Sequence, residues 1–276
     1  AYIGPKAPRD INEEAVTLVE TTPGTFNLAW SAISTDIDGN AIPAANISYK
    51  IYTVVKNGSM LSIGEEIGTT TECKFTYNTE PITRQQLFYL AVQPFNRQVG
   101  SARSTMGRVL VGTPYELPVI YTGNSSTDQY LSFAGQGTPE IGNYFNFEVK
   151  AQDGDDSFYA IMNSKVGFKT YLQTGMINLT GKSPAVSLYV YSLTNSDGTS
   201  TPDGNMTTMS VICDGNETVL DSFTNEDLEG NMWHKKKFSL EAFAGKTVMI
   251  RITATSNVFV YTMYDAVSYT HLTLPT

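Results

Sequence analysis

The feature of this sequence that most restricts its fold is a series of short alternating segments between residues 172 and 257. Every second residue is apolar from Val186 to Val190, and the same holds from Val248 to Ala254. A period of two places one face of a strand in a core and the other face outward. Turns separate these segments and leave no room for a helical core. The sequence therefore predicts an all-β protein.

Composition and charge narrow the class further. The chain has 276 residues, of which 41% are hydrophobic and 16% charged, as expected for about two globular domains. The formal net charge is −9, and the only basic cluster is the run 235–237. Affinity for nucleic acid depends on neutralising phosphates, so we expect no nucleic-acid partner. We interpret the lysine run as a solvated strand or loop face.

The sequence also predicts no membrane insertion within this chain. No stretch approaches the roughly 18 apolar residues of a membrane span, and no signal peptide is recognisable. The chain starts at Ala1 without Met, which indicates a processed or excised piece. Cys73 and Cys213 fall in different predicted domains, so we predict free thiols that act as small hydrophobic side chains.

The first half predicts a β-sandwich of its own. Phe26, Leu28 and Trp30 alternate on one face, and turn signals separate strands every 8–12 residues, as in a Greek-key sandwich. With Trp30, the strings K-I-Y-T-V-V-K-N-G and V-Q-P-F-N-R-Q-V-G-S resemble a fibronectin type III domain over residues 6–112. The tyrosine expected at the corner of such a domain falls at Phe88, whose side chain has no hydroxyl. That corner hydrogen bond cannot form unless neighbouring Tyr89 supplies it.

The second half carries a different set of motifs. These are L-x-T-G-x-I-N-L-T-G, a Trp at 233 before L-x-A-F-A-G-K, and V-x-I-R-I-x-A. Over residues 113–266 the chain resembles the concanavalin-like jelly-roll modules of the MAM and cleaved-adhesin kind, common in secreted multidomain proteins of Bacteroidetes-type bacteria. The resemblance implies a second β-sandwich, a jelly roll that binds or spaces and does not catalyse.

Both ends of the chain predict a longer native protein. Residues 1–5 repeat the pattern at the end of the type III domain, so we interpret them as the remnant of a preceding type III domain in a tandem array. Residues 267–276 resemble translated sequencing-adapter sequence, and we interpret them as a non-native tail. We therefore expect the last native strand of the jelly roll to be truncated or substituted.

The sequence does not contain a recognisable catalytic constellation. A Ser-His-Asp or Cys-His arrangement needs a histidine, and only His234 remains once the tail is set aside. No nucleophile lies in an elbow-like turn near it, and no strand carries the paired carboxylates of a jelly-roll glycosidase. We predict that the chain is not an enzyme.

One acidic loop is a candidate metal site. Asp153 and Asp155 flank a Gly turn, a spacing that lets oxygens converge on calcium. The loop is not an EF-hand, because its twelfth position is Ser164 rather than Glu. The resemblance to jelly rolls adds the acid of the final strand, Asp265, and implies a structural calcium. The alternative is a plain Asp/Gly turn.

The candidate ligand-binding residues are Tyr189 and Tyr191, which alternate away from the Val186–Val190 core face. Outward aromatic rings on a sandwich can stack on sugars. The alternative is that a loop or the neighbouring domain covers this face.

The sequence thus predicts a non-catalytic adhesion or binding segment of a secreted or cell-surface bacterial protein. Its expected partner is an extracellular glycan or a surface protein, and the type III domain acts as a spacer. A first alternative is an accessory C-terminal region of a secreted protease or glycosidase whose catalytic domain lies upstream. A second is that the jelly roll is itself a glycosidase, against which the missing carboxylate pair argues.

Overall fold

The computed structural model divides the chain into two compact units, Ala1–Thr113 and Pro114–Thr276. The described residues are 4–58, 60–122, 130–136, 138–141, 151, 159–162, 165–181, 183–192, 205–224, 227–228, 232–256 and 262–271.

The described part of the first unit is built from two antiparallel sheets. One sheet has the order β1-β2-β5, and the other has the order β4-β3-β6, with β7 and β8 both pairing with β6. Short 3-10 helices lie at Glu13–Ala15 and Ala44–Asn46. The strands are β1 (Thr17–Thr22), β2 (Thr25–Ala29), β3 (Ile47–Asn57), β4 (Met60–Thr70), β5 (Lys74–Asn78), β6 (Gln86–Asn96), β7 (Val99–Gly100) and β8 (Thr105–Val111).

One hydrophobic cluster joins these two sheets into a sandwich. Phe26 and Leu28 are fully buried and Trp30 is 6% exposed, so the predicted alternation is confirmed. Phe88, at the position expected for a corner tyrosine, packs against this cluster and stacks on Phe26 with ring centroids 4.1 Å apart. At this position a phenyl ring therefore packs in the core, whereas the resemblance implies a tyrosine with a hydroxyl.

The turn between β1 and β2 needs a glycine. Gly24 has a φ of +80°, and a Cβ there would lie 2.3 Å from the carbonyl oxygen of Thr79. A side chain at this position would meet rigid backbone, so only glycine allows the hairpin to close on β5.

The described strands of the second unit also form two sheets. They are β9 (Tyr115–Glu116), β10 (Val119–Tyr121), β11 (Leu131–Gly135), β12 (Thr138–Ile141), β13 (Tyr159–Met162), β14 (Lys169–Thr174), β15 (Ile177–Asn178), β16 (Pro184–Ser192), β17 (Met206–Cys213), β18 (Asn216–Thr224), β19 (Trp233–Ser239), β20 (Thr247–Thr255) and β21 (Thr262–His271). A 3-10 helix lies at Glu241–Phe243.

We name the two sheets after their central strands. In the β20 sheet, β17 pairs with one edge of β20, and β18 pairs with β17. The other edge of β20 pairs with β14 and β15, which pair in turn with β11 and β9 respectively. In the β21 sheet, β16 and β19 follow one edge of β21, while β13 and β10 follow the other and β12 pairs with β13. All described pairs are antiparallel except β15 with β9.

The two sheets of the second unit enclose a single core. Leu188 of β16 and Ile250 of β20 are both fully buried and belong to the same hydrophobic cluster. The alternating residues Val186–Val190 and Val248–Ala254 are buried as predicted. The all-β class with two β-sandwiches is therefore confirmed. Among the described residues there is no α-helix, and none of the described segments is a helix able to span a membrane.

Strand β21 continues into the segment interpreted as a non-native tail. It pairs with β16 from Thr262 to His271, and Val267 is fully buried opposite Tyr121 of β10. Residues 267–271 therefore complete the middle of a sheet, whatever their origin.

Both cysteines are free thiols. Cys213 is buried in the core of the second unit, and Cys73 packs, partly exposed, against the core of the first. Both side chains pack with core residues, as predicted for thiols that act as small hydrophobic side chains.

Candidate functional site

The outer surface of the β21 sheet carries aromatic and basic side chains on β16 and β19. In the antiparallel register Tyr189 lies opposite Lys235, and Tyr191 lies opposite Trp233. Directly opposed residues share one face of a sheet. The alternate residues of β16 fill the core, so these four side chains project outward. Lys237 follows on the same side of β19, and we call these five residues the aromatic face.

Contacts within the aromatic face hold its rings in place. The ring centroids of Tyr191 and Trp233 lie 5.3 Å apart, with their planes at 70°, in an edge-to-face pair. The Nζ atom of Lys235 lies 5.2 Å from the centroid of the Tyr189 ring. All three aromatic side chains are partly exposed. The face is thus ordered by its own contacts while part of each ring remains accessible to a ligand.

The aromatic face carries two lysine side chains along β19. Lys235 and Lys237 are exposed, and neither forms an ion pair with any residue that the structure describes. The Tyr191 hydroxyl is neutral near pH 7 and can donate a hydrogen bond, and partial burial raises its pKa further. The face thus combines apolar rings, a neutral hydroxyl and two ammonium groups.

The lysine run does not form a single solvated face. Lys236 is partly buried, and its Nζ atom lies 4.7 Å from the ring centroid of Phe223. It projects to the opposite side of β19 from Lys235 and Lys237, because side chains alternate along a strand. Our interpretation of the run as a solvated face is therefore correct for the two outer lysines and wrong for Lys236.

His234 also projects to the inner side of β19. It lies opposite the buried Val190, whereas its neighbours Trp233 and Lys235 project outward. The one histidine weighed as a catalytic base is therefore on the other side of the strand from the aromatic face.

The candidate calcium ligands are only partly covered by the described residues. Asp153 and Asp155 lie outside them. Asp265 is fully buried on β21, opposite Tyr189. Within the described residues there is no group of three or more His, Cys, Asp or Glu side chains that could hold a metal ion. The predicted calcium site stays a prediction.

The outer surface of the β20 sheet carries a polar cluster that our sequence analysis missed. At its centre, Arg251 donates hydrogen bonds to Gln173 Oε1 from Nε at 3.2 Å and from Nη2 at 2.8 Å. Its Nη1 forms an ion pair with Glu217 at 2.5 Å, and its guanidinium lies 4.6 Å from the centroid of the Tyr171 ring. Buried Ser210 donates a hydrogen bond to the same carboxylate.

Charges within this cluster cancel. The carboxylate of Glu217 neutralises Arg251, and Gln173 and Tyr171 contribute no charge. A signal for Arg251 was present, since V-x-I-R-I-x-A places it on the outward side of an alternating strand. Its partners come from β14 and β18, and only the register of the sheet brings them together.

Neither a family model nor a curated protein matches this chain. Among solved structures, the K1 cleaved adhesin domain of Lys-gingipain from Porphyromonas gingivalis W83 is similar over 56% of this chain and 99% of that chain, at 12% identity and a TM-score of 0.41. A structure of carbohydrate-binding modules from the β-sandwich superfamily covers 96% of this chain and 98% of that chain, at 10% identity and a TM-score of 0.39.

A third similar structure is TmCBM61 in complex with β-1,4-galactotriose. It covers 51% of this chain and 88% of that chain, at 11% identity and a TM-score of 0.37. The similar structures thus include carbohydrate-binding modules and cleaved adhesin domains. At these identities and TM-scores the ligand of this chain has to be argued from its own side chains.

Proposed function

We propose that this chain is a non-catalytic adhesion or binding segment of a secreted or cell-surface protein, and that its second unit binds a glycan at the aromatic face. The observation that carries the proposal is the row of three partly exposed rings, Tyr189, Tyr191 and Trp233, on adjacent strands of one sheet. A sugar ring has an apolar C–H face and a polar rim. Tyrosine and tryptophan offer an apolar ring with a hydrogen-bonding edge, so the two surfaces match.

The contacts that restrain the side chains of the aromatic face also favour binding. The edge-to-face pair of Tyr191 and Trp233 and the contact of Lys235 with Tyr189 restrict the side chains before any ligand arrives. Pre-organised groups lose less conformational entropy on association, so more of the contact energy appears as affinity.

We further propose that the first unit is a fibronectin type III domain acting as a spacer. Support comes from its two antiparallel sheets, in which β2 pairs with β5 and β3 pairs with β6, so that pairing skips neighbours in the chain as in a Greek key. The second unit, with two sheets around one core, supports the resemblance to a jelly-roll module of the MAM and cleaved-adhesin kind.

The binding proposal is tested by removing the rings. Replacing Tyr189 or Tyr191 with alanine is expected to weaken binding on a glycan array by about 1–3 kcal/mol for each ring, if stacking on a sugar resembles stacking on a base. The matched control is Tyr171→Ala, which removes a partly exposed tyrosine from the opposite sheet. Unchanged array binding by the Tyr189→Ala/Tyr191→Ala double variant excludes these residues as the platform.

We also propose that Asp153, Asp155 and Asp265 hold one structural calcium. Three carboxylates held within about 5 Å of one another repel, and each raises the pKa of the others unless a cation neutralises them. An ion that binds only the folded state stabilises it, by about 2.7 kcal/mol at a calcium concentration 100 times the Kd. We expect the melting temperature to rise with calcium and to fall with a chelator. Coincident melting curves with calcium and with chelator reject the site.

The alternative function is an accessory C-terminal region of a secreted protease or glycosidase with an upstream catalytic domain. The uninterrupted reading frame separates the two proposals, because an upstream catalytic domain favours the accessory role and a surface anchor favours adhesion. Incubation of the chain with each bound glycan addresses the weaker glycosidase alternative, for which we expect no hydrolysis products.

A further inference from the structure

We propose that the ligand of the aromatic face is an anionic polysaccharide, built from sugars that carry carboxylate or sulfate groups. This inference rests on the glycan-binding function proposed above and specifies the chemical class of the glycan. It follows from the two outward lysines, whose positions beside the rings were not apparent from the sequence.

The lysines and the rings belong to the same surface. Lys235 lies opposite Tyr189 in the strand register, and Lys237 is two positions further along β19 on the same side. Two residues along a strand correspond to roughly 7 Å. A sugar ring that stacks on Tyr191 or Trp233 therefore has an ammonium group within the reach of its own substituents or those of the next sugar.

Neither lysine has a carboxylate partner within the described structure. Arg251 is paired with Glu217, and Lys246 is paired with Asp214, but Lys235 and Lys237 have no ion pair with a described residue. Lys235 instead rests over the Tyr189 ring, which keeps its ammonium group at the surface of the face. A neutral sugar that stacks on Tyr189 would displace this contact, whereas an anionic sugar replaces it with an ion pair.

The rest of the second unit supports this choice of face. On the opposite sheet, Glu217 already neutralises Arg251, so an added anion would meet a carboxylate there. In the strand register, Tyr189 lies between the buried Asp265 of β21 and Lys235 of β19, so the exposed ammonium groups lie on the β19 side of the ring. We therefore infer that the acidic groups of the glycan lie along β19, beside Lys235 and Lys237, and that its ring faces lie on the tyrosines and Trp233.

The test uses pairs of polymers that share a backbone and differ in charge. The first pair is polygalacturonate and its fully methyl-esterified form, and the second is dextran sulfate and dextran. Binding of the full chain to each polymer is measured by isothermal titration calorimetry. We expect binding to the charged member of at least one pair, and the pair that binds distinguishes a carboxylate from a sulfate ligand.

Two further measurements address the role of the lysines. The Lys235→Gln/Lys237→Gln variant is expected to bind the charged polymer roughly 2- to 30-fold more weakly, because it loses two exposed ion pairs with the polymer. The control Lys165→Gln/Lys169→Gln removes two exposed lysines of the same unit and the same net charge, and should bind as the unchanged protein does. Raising sodium chloride from about 0.1 M to about 1 M shortens the Debye length from about 10 Å to about 3 Å, so the affinity should fall.

The outcomes separate the two proposals. Equal binding of the charged and neutral members of a pair, or equal weakening by both lysine double variants, overturns the anionic ligand while glycan binding stands. Binding to neutral glycans alone on the array has the same meaning. If neither the polymers nor the array shows binding, the proposed glycan-binding function itself is wrong.

Discussion

Replacing Phe26 with alanine is expected to lower the free energy of unfolding of the first unit by about 3–5 kcal/mol. Phe26 is fully buried, and its ring stacks on Phe88 at 4.1 Å between centroids. Alanine removes the apolar area and leaves a cavity that the surrounding strands cannot close completely. Because a domain of this size is stable by only about 5–15 kcal/mol, such a loss is a large part of the total.

The two tryptophans of the chain provide one reporter for each unit. In a Trp233→Phe background, Trp30 is the sole reporter and lies in the same hydrophobic cluster as Phe26. Urea unfolding followed by its fluorescence gives the change in free energy. Val19→Ala is the matched control, because Val19 is 53% exposed on the neighbouring strand and its loss should change the stability by no more than about 0.5 kcal/mol. A loss below about 1 kcal/mol for Phe26→Ala contradicts the core assignment.

In the second unit, Leu188→Ala is expected to cost about 2–5 kcal/mol, whereas Tyr189→Ala costs about 1 kcal/mol or less. The two residues are adjacent on β16 but project to opposite sides. Leu188 is fully buried, while Tyr189 is partly exposed on the aromatic face. The comparison therefore tests which side of the strand is buried, and with it the accessibility of the proposed ligand-binding face.

The reporter for this comparison is Trp233 in a Trp30→Phe background. Urea unfolding of each variant is measured in the same background. A greater loss of stability for Tyr189→Ala than for Leu188→Ala would mean that the face assignment is reversed. Glycan binding by Leu188→Ala is measured below its unfolding transition and should be retained, since Leu188 does not reach the outer surface.

For the lysine run 235–237, the alternation of side chains along a strand predicts more than the composition does. Its composition suggested three equivalent solvated charges, yet the strand period assigns Lys236 to the inner side and its two neighbours to the outer side. The alternation that predicts the core residues of β16 also distinguishes Lys236 from its neighbours, provided that the run is a strand. Our interpretation left open whether it is a strand or a loop. The position of Lys236 over Phe223 needed the structure, because the ring comes from β18 in the other sheet.

The contacts of the Arg251 cluster cannot be predicted from any local sequence pattern. Arg251 and Glu217 are 34 positions apart, and β17 separates their strands in the sheet. The register of β17 on β18 also shifts between Met209 and Ser210, which changes the side chains that share a face. The sequence alone therefore could not predict that Arg251 forms an ion pair with Glu217. Without that ion pair, the charge of Arg251 would be counted as free.

The sequence by itself determined the all-β class and, for strands such as β16 and β20, which side chains are buried. It did so because side-chain direction along a strand alternates with a period of two, whatever the partner strands are. Only the tertiary structure decided which outward residues meet, such as Tyr191 with Trp233 and Tyr189 with Lys235. That choice depends on strand order and register, and a slip of one residue would move every side chain of a strand to the opposite face.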